Sequence, residues 1–320
     1  MQEANPVRCG VARYETIEEK TFAKDRRRIH SMEISGHTRL LCLIGSPVAH
    51  SGSPAMYNYS FEKLGLDYRY LAFDIKEEDT KKAIEALKMM NFRGCNITMP
   101  GKTVAASCCD ELSKAAELTG AVNTIVNEDG KLVGHITDGA GWIRNCLEHG
   151  FDIHGKKLVI AGCGGAGTAI QIAAALGGAK DVVILARKSS VRYANGEATV
   201  QKIREHVPEC RAEIFDLEDV GAVRRALSGA DLFCNATKVG MKPMDDQSVI
   251  PDASMLRPEL VVSDIVYNPR ETKLLKDAKA AGCKTIPGIG MLLWQGAEAF
   301  RLYTGKEMPV KEVQERYFDS

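Results

Sequence analysis

Apolar runs and amphipathic stretches alternate along the chain from about residue 40. Residues 40–44 form a continuous apolar run that ends at Gly45, as expected for a buried strand of a parallel sheet. Tyr57 and Phe61 then lie one helical turn apart and predict a helix, with Ser53 as its N-cap and Pro54 at its first position. Further strands are predicted at 68–73 and 95–99, helices around 83–90 and 113–118, and a hairpin with strands 123–126 and 132–135.

A second series of strands and helices follows a predicted helix at residues 139–149. Strands are predicted at 158–161, 182–185, 232–236 and 260–264, and helices at 168–176 and 200–207. The first of these strands leads directly into a loop with the spacing G-x-G-x-x-G, which reads Gly162-Cys163-Gly164-Gly165-Ala166-Gly167. We call this segment the glycine loop.

The glycine loop predicts a dinucleotide-binding site because it lies between a predicted strand and a predicted helix. Gly162 permits a tight turn, Gly164 lets the backbone approach a pyrophosphate, and Gly167 allows the helix to pack closely on the strand. The helix N-terminus also offers unpaired N–H groups to phosphates. The predicted cofactor contacts in this loop are Gly162, Gly164, Gly165, Ala166 and Gly167.

The residues after the next strand indicate which dinucleotide to expect. A site for NAD usually has an acidic residue there, which accepts a hydrogen bond from the ribose 2′-hydroxyl. This sequence has Ala186-Arg187-Lys188-Ser189 instead, followed by Arg192. Cations and a hydroxyl suit a 2′-phosphate, so Arg187, Lys188 and Ser189 predict a preference for NADP. NAD remains the alternative, with Arg187 stacked on adenine and Lys188 a solvated surface charge.

Polar side chains at predicted strand ends and in loops form a second candidate site. They are Ser51, Ser53, Asn96, Thr98, Lys102, Asn123, Thr137 and Asp138. Uncharged hydroxyl and amide groups suit a polyhydroxylated ligand, and one lysine with one aspartate is a minimal pair for moving a proton. Each residue alone also has a structural interpretation, such as helix capping for Ser53 and Asp138 or a surface position for Lys102.

Composition narrows the class of protein. Basic and acidic residues both number 42, so a formal net charge of zero favours neither nucleic acid nor an anionic membrane as a partner. No apolar run approaches the roughly 18 residues of a membrane span, and the first 38 residues lack the apolar stretch of a signal peptide. The ten cysteines form no Cys-x-x-Cys and the seven histidines no metal-ligand spacing. Free thiols in a reducing cytoplasm and no bound metal are therefore expected.

Together these patterns predict an α/β protein with its active site in an interdomain cleft. Residues 39–140 are predicted to form an N-terminal α/β substrate-binding and catalytic domain, and residues 141–290 a C-terminal Rossmann domain that binds NAD(P). Residues 1–38 are an extension with no assigned role. Helices within 291–320 follow the last predicted strand and are expected to complete the first domain.

Six segments resemble the shikimate dehydrogenase family. They are residues 45–54 (GSPVAHSGSP), 96–102 (NITMPGK), 120–124 (GAVNT), 137–139 (TDG), 235–237 (NAT) and 290–295 (GMLLWQ). Their order and spacing match the family from about residue 40 to residue 317. Residues 237–243, 267–269 and 288–296 are most similar to the quinate/shikimate dehydrogenase branch.

The resemblance implies a role for each matched residue. Ser51 and Ser53 would bind the substrate carboxylate, and Lys102 and Asp138 would be the catalytic pair. The implied contacts to the ring hydroxyls and the carboxylate side of the substrate are Asn96, Thr98, Asn123 and Gln295, with Tyr267 lining the substrate side. The implied neighbours of the nicotinamide are Ala236, Thr237, Gly288 and Gly290.

Three positions depart from the family pattern. Ile136 and Ala186 stand where asparagine is usual, and Ser189 stands where the quinate/shikimate branch often has aspartate. The missing acid at residue 189 agrees with the expectation of NADP as the preferred cofactor.

The activity that the resemblance implies is reversible, NAD(P)-dependent oxidation of shikimate to 3-dehydroshikimate, with quinate as a second substrate. The resemblance implies an oxidoreductase of the chorismate pathway of aromatic amino acid biosynthesis, and a catabolic role stays open. The expected partners are these small molecules, and a homodimer is compatible with the sequence. Two alternatives stay open: a dehydrogenase for an aminoshikimate-like or other hydroxy-acid substrate, and a non-catalytic ligand sensor on the same fold.

Overall fold

The computed structural model describes residues 33–318, in which twelve strands form two six-stranded sheets. The strands are β1 (Arg39–Gly45), β2 (Tyr68–Asp74), β3 (Gly94–Ile97), β4 (Glu111–Leu112), β5 (Thr124–Glu128), β6 (Lys131–His135), β7 (Lys157–Ala161), β8 (Asp181–Ala186), β9 (Arg211–Asp216), β10 (Leu232–Asn235), β11 (Val261–Asp264) and β12 (Lys284–Ile286). The helices are α1 (Ser53–Leu64), α2 (Thr80–Met89), α3 (Lys102–Ala106), α4 (Lys114–Thr119), α5 (Asp138–Glu148), α6 (Gly165–Leu176), α7 (Tyr193–His206), α8 (Val220–Leu227), α9 (Lys273–Ala280), α10 (Ile289–Thr304) and α11 (Val310–Tyr317).

The first sheet has the strand order β2-β1-β3-β5-β6-β4. Strand β1 pairs in parallel with β2 and β3, whereas β5 runs antiparallel to β3 and β6. The ends of β1, β3 and β6 and the start of β5 therefore meet at one edge of the sheet. The loops at this edge carry the polar residues that the sequence singled out, and this edge is where ligands of α/β proteins bind.

The second sheet is entirely parallel, with the order β12-β11-β10-β7-β8-β9. Counted from its own first strand, β7, this is the order 3-2-1-4-5-6 of a Rossmann fold. The predicted doubly wound dinucleotide-binding domain is therefore confirmed. The glycine loop follows β7, and the segments after β8, β10, β11 and β12 lie at the same carboxyl edge.

Helices cover both faces of each sheet and build the cores. In the second sheet α5, α6 and α7 pack on one face and α8 and α9 on the other. In the first sheet α1, α10 and α11 pack on one face, where Tyr57, Phe61 and Phe300 stack with ring centroids 5.3–6.3 Å apart. The C-terminal helices thus pack on the first sheet. The domain boundaries at residues 140 and 290 stay a prediction.

Helix α5 connects the two sheets and lies between α6 and α10. Close packing on α6 depends on Gly139, because a Cβ atom there would lie 2.4 Å from the carbonyl oxygen of Ala169. The preceding residue, Asp138, is the first of the helix. The fold therefore places Asp138 beside the helix that begins in the glycine loop.

Several helix starts differ from prediction. Ser53 is the first residue of α1 rather than its N-cap, because Gly52 itself takes helical dihedral angles and is the N-cap. Helix α6 begins at Gly165 rather than at 168, because Gly165, Ala166 and Gly167 already belong to the helix but add no large apolar side chain to the pattern. Elements that the apolar pattern did not predict include β4, β9 and β12 and helices α3, α8 and α9.

Other expectations can be compared with the described residues. All nine cysteines within residues 33–318 are free, and Cys9 lies outside that range, as does most of the extension 1–38. Among the described helices, none has both the length and the apolar character needed to cross a membrane.

Candidate active site

Lys102 and Asp138 form an ion pair at the shared edge of the first sheet. Lys102 begins α3, which follows β3, and Asp138 begins α5, which follows β6. The Lys102 Nζ donates to Asp138 Oδ2 at 2.6 Å, and the two side chains are 27% and 14% exposed. They are accessible to a ligand yet partly withdrawn from water, which strengthens their mutual attraction. The chain thus brings together the two residues that were predicted to move a proton.

Asn123 orients the carboxylate of this pair. Its Nδ2 donates to the other oxygen, Asp138 Oδ1, at 3.1 Å and contacts Thr137 Oγ1 at 3.0 Å. Its own Oδ1 accepts from the Thr137 backbone N–H at 2.9 Å. Each oxygen of Asp138 therefore has its own donor, and the carboxylate is held in one orientation before any substrate arrives.

Asn96 belongs to the same network but lies deeper. Tyr70 donates its hydroxyl to Asn96 Oδ1 at 2.8 Å, and Asn96 Nδ2 contacts Thr124 Oγ1 at 3.1 Å and the Asn123 carbonyl oxygen at 3.2 Å. Burial raises the pKa of Tyr70, so its hydroxyl stays a donor. Asn96 is only 7% exposed, whereas Thr98, just past the end of β3, is half-buried.

The other predicted substrate residues lie on separate elements. Ser51 Oγ accepts from the backbone N–H of Ser53 at 3.3 Å in the loop after β1. Gln295 lies on α10 and donates to the Leu292 carbonyl oxygen at 3.0 Å, and Tyr267, after β11, is 49% exposed. Within residues 33–318, no hydrogen bond joins these four predicted residues to the Lys102–Asp138 pair.

The glycine loop has two kinds of glycine. Gly162, at φ 112°, and Gly167 serve the fold, because a Cβ atom would lie 2.6 Å from the Ala236 carbonyl oxygen in the first case and 2.3 Å from the Gly162 carbonyl oxygen in the second. Gly164 and Gly165 face open space: a Cβ atom would meet the Arg192 guanidinium at 3.5 Å at the first position and nothing within 4 Å at the second.

This open face fits the pyrophosphate of a dinucleotide. Gly164 is the N-cap of α6, and no side chain of the described chain caps the helix there. The backbone N–H groups of the first turn therefore point into an uncrowded space with the positive end of the helix dipole behind them. The Arg192 guanidinium lies beside this open space, next to Gly164.

Comparison with known proteins agrees with this geometry. A family model described as the shikimate dehydrogenase substrate binding domain matches residues 43–125, and the shikimate 5′-dehydrogenase C-terminal domain model matches residues 288–316. The shikimate dehydrogenase (NADP(+)) of Listeria monocytogenes serotype 4b (strain F2365) is 52% identical over 285 residues, which are 89% of this chain and 97% of that protein. The chain belongs to the shikimate dehydrogenase family.

Solved structures of family members have the same architecture. Shikimate 5-dehydrogenase from Listeria monocytogenes, in complex with shikimate and NAD, superposes with a TM-score of 0.86 at 52% identity, covering 88% of this chain and 97% of that one. Quinate dehydrogenase from Corynebacterium glutamicum, in complex with NAD, gives 0.77 at 31% identity, covering 87% and 98%. The predicted family and the predicted α/β fold are confirmed.

Sequence reasoning missed a buried carboxylate at the carboxyl edge of the second sheet. Asp264 Oδ1 accepts from Asn235 Nδ2 and from a backbone N–H two residues on, both at 3.0 Å, and Oδ2 accepts from Thr272 Oγ1 at 2.6 Å. Asn235 in turn accepts from the Thr237 N–H at 3.0 Å. Asp264 therefore links the segment with Thr237 to the one with Tyr267. Its one sequence signal was a charged residue at the end of an apolar run.

Burial raises the pKa of the Asp264 carboxyl group. Asp264 is fully buried, and desolvation raises its pKa from 3.8 to about 6 despite the hydrogen bonds from Thr272, Val266 and Asn235, which lower it. The carboxylate is thus kept inside the protein at a cost that its donors offset only in part.

Two further acids lie beside the predicted 2′-phosphate site. Asp216 ends β9, which pairs with β8 so that Ala186 faces Asp216, and Glu218 follows two residues later. The segment after β8 contains no acid in sequence, but the neighbouring strand brings these two next to it. Because the apolar pattern did not predict β9, the sequence carried no signal of their position.

Proposed function

We propose that this chain is a shikimate dehydrogenase, which catalyses reversible oxidation of shikimate to 3-dehydroshikimate with NADP as its preferred cofactor and accepts quinate as a second substrate. The observation that carries the proposal is the 2.6 Å contact between Lys102 Nζ and Asp138 Oδ2. Asp138 of this proton-transfer pair begins α5, the helix that packs against the glycine-loop helix α6, and Lys102 begins α3. Oxidation of an alcohol removes a proton and a hydride, so the proton-transfer pair and the dinucleotide must both lie close to the reacting part of the substrate.

The names of the relatives support the choice of substrate and cofactor. The Listeria monocytogenes relative is named for shikimate and NADP(+), its crystal structure holds shikimate and NAD, and the Corynebacterium glutamicum neighbour is named for quinate. The residues of the first sheet match a substrate with hydroxyls and a carboxylate. Proposed contacts are Ser51 and Ser53 for the carboxylate and Asn96, Thr98, Asn123, Tyr267 and Gln295 for the rest of the molecule.

The second sheet would hold the dinucleotide along its carboxyl edge. The N–H groups of residues 164–167 would bind the pyrophosphate, and Arg187, Lys188 and Ser189 the adenosine end. Ala236, Thr237, Gly288 and Gly290 would border the nicotinamide. When bound, the cofactor supplies the hydride for reduction and accepts it in oxidation.

Lys102 manages the proton at the reacting oxygen. In reduction its ammonium group gives a proton to the carbonyl oxygen, and in oxidation the neutral amine form of Nζ takes the proton of the substrate hydroxyl. Asp138 keeps the Nζ aimed by their 2.6 Å hydrogen bond, and Asn123 keeps Asp138 aimed from the other side at 3.1 Å. Because the pair is only partly exposed, water competes weakly for these contacts.

The test is a steady-state assay that crosses shikimate and quinate with NADP and NAD, on wild type and Lys102→Ala. We expect turnover of shikimate with NADP to have the highest kcat/KM. Lys102→Ala should lower kcat by about 10²–10⁴-fold, with the KM for shikimate changed only a few-fold, because the ammonium acts mainly in the transition state.

Lys114→Ala is the matched control. Lys114 also lies near the start of a short helix of the same domain and pairs with Glu117 at 3.2 Å, but it is exposed and outside the polar network. Its kcat should equal that of wild type. A near-normal kcat for Lys102→Ala would remove Lys102 from its role. Faster turnover of an aminoshikimate-like acid would change the substrate, and ligand binding without any turnover would identify a sensor.

We also propose a cellular location and an assembly for this enzyme. All nine cysteines within residues 33–318 are free, which supports a reducing compartment, and we place the enzyme in the cytoplasm on that basis. A homodimer is the assembly to test by sedimentation velocity. A single species of about 35 kDa at micromolar concentration would contradict it.

A further inference from the structure

The adenosine end of the proposed cofactor site contains acids as well as cations. Strands β8 and β9 are parallel neighbours, and the Leu217 N–H donates to the Ala186 carbonyl oxygen at 2.9 Å. The segment 187–189 therefore runs beside the segment 216–218 at the carboxyl edge of the sheet. In a Rossmann fold this is where the adenosine ribose is recognised.

Asp216 fixes the two segments to each other. Its Oδ1 accepts from the backbone N–H groups of Lys188 and Glu218, both at 3.0 Å. These two donors lower the pKa of Asp216, so the carboxylate stays ionised. Because it binds main chain on both sides, Asp216 sets the position of the residues around it.

Glu218 contacts Ser189, the residue expected to bind the 2′-phosphate of NADP. The Ser189 hydroxyl donates to Glu218 Oε1 at 3.0 Å, and both side chains are exposed. A carboxylate has room for several donors, so the bond to Ser189 leaves acceptor positions directed to solvent. The serine that would contact a 2′-phosphate thus already has a negative charge within hydrogen-bonding distance.

We propose that Glu218 determines how strongly the enzyme distinguishes NADP from NAD, an inference that rests on the dinucleotide-binding function proposed above. Its carboxylate accepts a hydrogen bond from the free 2′-hydroxyl of NAD and repels the 2′-phosphate of NADP. Arg187, Lys188 and Arg192 attract that phosphate from the same side of the sheet. The expected preference is the difference between these two effects.

The size of the repulsion follows from the exposure of the group. Two unit charges about 4 Å apart in water interact by an amount that changes an equilibrium constant roughly fivefold. A 2′-phosphate carries between one and two charges at neutral pH. Removing the charge of Glu218 should therefore raise the preference for the phosphorylated cofactor about tenfold.

The experiment measures binding of two fragments that cannot react, ADP-ribose and 2′-phospho-ADP-ribose, by isothermal titration calorimetry on the full chain. Glu218→Gln keeps the shape and the acceptor for Ser189 but removes the charge. We expect the ratio of the two dissociation constants to shift about tenfold toward the phosphorylated fragment. The shift should shrink at 0.5 M salt, because both groups are exposed to screening ions.

Glu213→Gln is the matched control, since it removes the same charge from the same strand but three residues before the carboxyl edge. Its ratio should stay within twofold of wild type. An unchanged or reversed ratio in Glu218→Gln, with both fragments still bound, would overturn the role of Glu218 alone. Failure of wild type to bind either fragment would overturn both this role and the proposed dinucleotide site.

Discussion

Replacing Asp264 with asparagine removes a charge from the interior without changing the size of the side chain. The wild-type carboxylate accepts from Asn235, Thr272 and the Val266 N–H. An asparagine at this position can still accept from Asn235 and Val266, and its amide can donate to the Thr272 hydroxyl, which then turns its own proton away. The substitution therefore tests the charge rather than the packing.

The magnitude follows from the pKa of Asp264, which burial raises from 3.8 to about 6. At about 1.4 kcal/mol per pH unit, this difference corresponds to about 3 kcal/mol. The folded state holds the proton more tightly than the unfolded chain. The carboxyl therefore contributes most favourably below about pH 4, and this stability is lost as the pH rises through about 6.

The asparagine variant lacks this titration. Its free energy of unfolding, minus that of wild type, should rise by up to about 3 kcal/mol between pH 4 and pH 8. Urea unfolding followed by tryptophan fluorescence measures this difference. A Trp294→Phe background leaves Trp142 as the only tryptophan, and this residue is buried in the core of the second sheet. Circular dichroism must give the same transition for a two-state treatment.

Asp252→Asn is a control with the opposite sign. Asp252 is exposed, and hydrogen bonds from Ser254, then Arg224, lower its pKa. Ionisation of Asp252 stabilises wild type as the pH rises through the acid range. The free energy of unfolding of Asp252→Asn, minus that of wild type, should therefore fall over this range. Parallel stability curves for Asp264→Asn and wild type from pH 4 to pH 8 would refute the reasoning, as would a carboxyl titration of Asp264 below pH 4.5 in a carbon-13 NMR experiment.

Two further predictions concern the glycine loop and helix α5. Gly162→Ala should destabilise the protein by about 1–3 kcal/mol, because φ is 112° and the new Cβ would lie 2.6 Å from the Ala236 carbonyl oxygen. Gly165→Ala should leave the melting temperature unchanged but weaken ADP-ribose binding; equal effects of both variants on stability would contradict this distinction. Trp142→Phe should cost at least about 1 kcal/mol in urea unfolding, because the 3.1 Å bond from Trp142 Nε1 to Ser263 Oγ is lost and the smaller ring leaves space at a fully buried position. In the Ser263→Ala background the same change should cost less, and full additivity would show that the bond contributes nothing.

Much of the second domain could be predicted because its signals are local. The apolar run at 158–161 and the glycine loop are adjacent in sequence, and the structure has a strand and a helix N-terminus there. Helix α7 was harder: it begins at Tyr193, seven residues before the predicted start, because its first turns are mostly polar and exposed. Strand β9 was missed because only its position beside β8, and not an apolar run, makes it a strand.

In the candidate site, the sequence likewise indicated individual residues but not their arrangement. Lys102, Asn123 and Asp138 were recognised as polar residues in loops, but nothing in the sequence gave their mutual distances. Their contact depends on β3, β5 and β6 being neighbours, which is a property of the sheet order. Asp264 had the least signal, since its contacts are with Asn235 at the end of β10 and Thr272 just before α9, which are distant in sequence.

By itself, the sequence determined which segments become strands around a phosphate-binding turn and which family the chain resembles, because those features depend on residues that are close along the chain. Only the tertiary structure decided that Lys102 meets Asp138 across 36 residues and that Ser189 meets Glu218 across 29. Contacts of that kind are set by the order in which strands pair. That order is a collective result of burying two apolar sheet faces at once, and no local pattern encodes it.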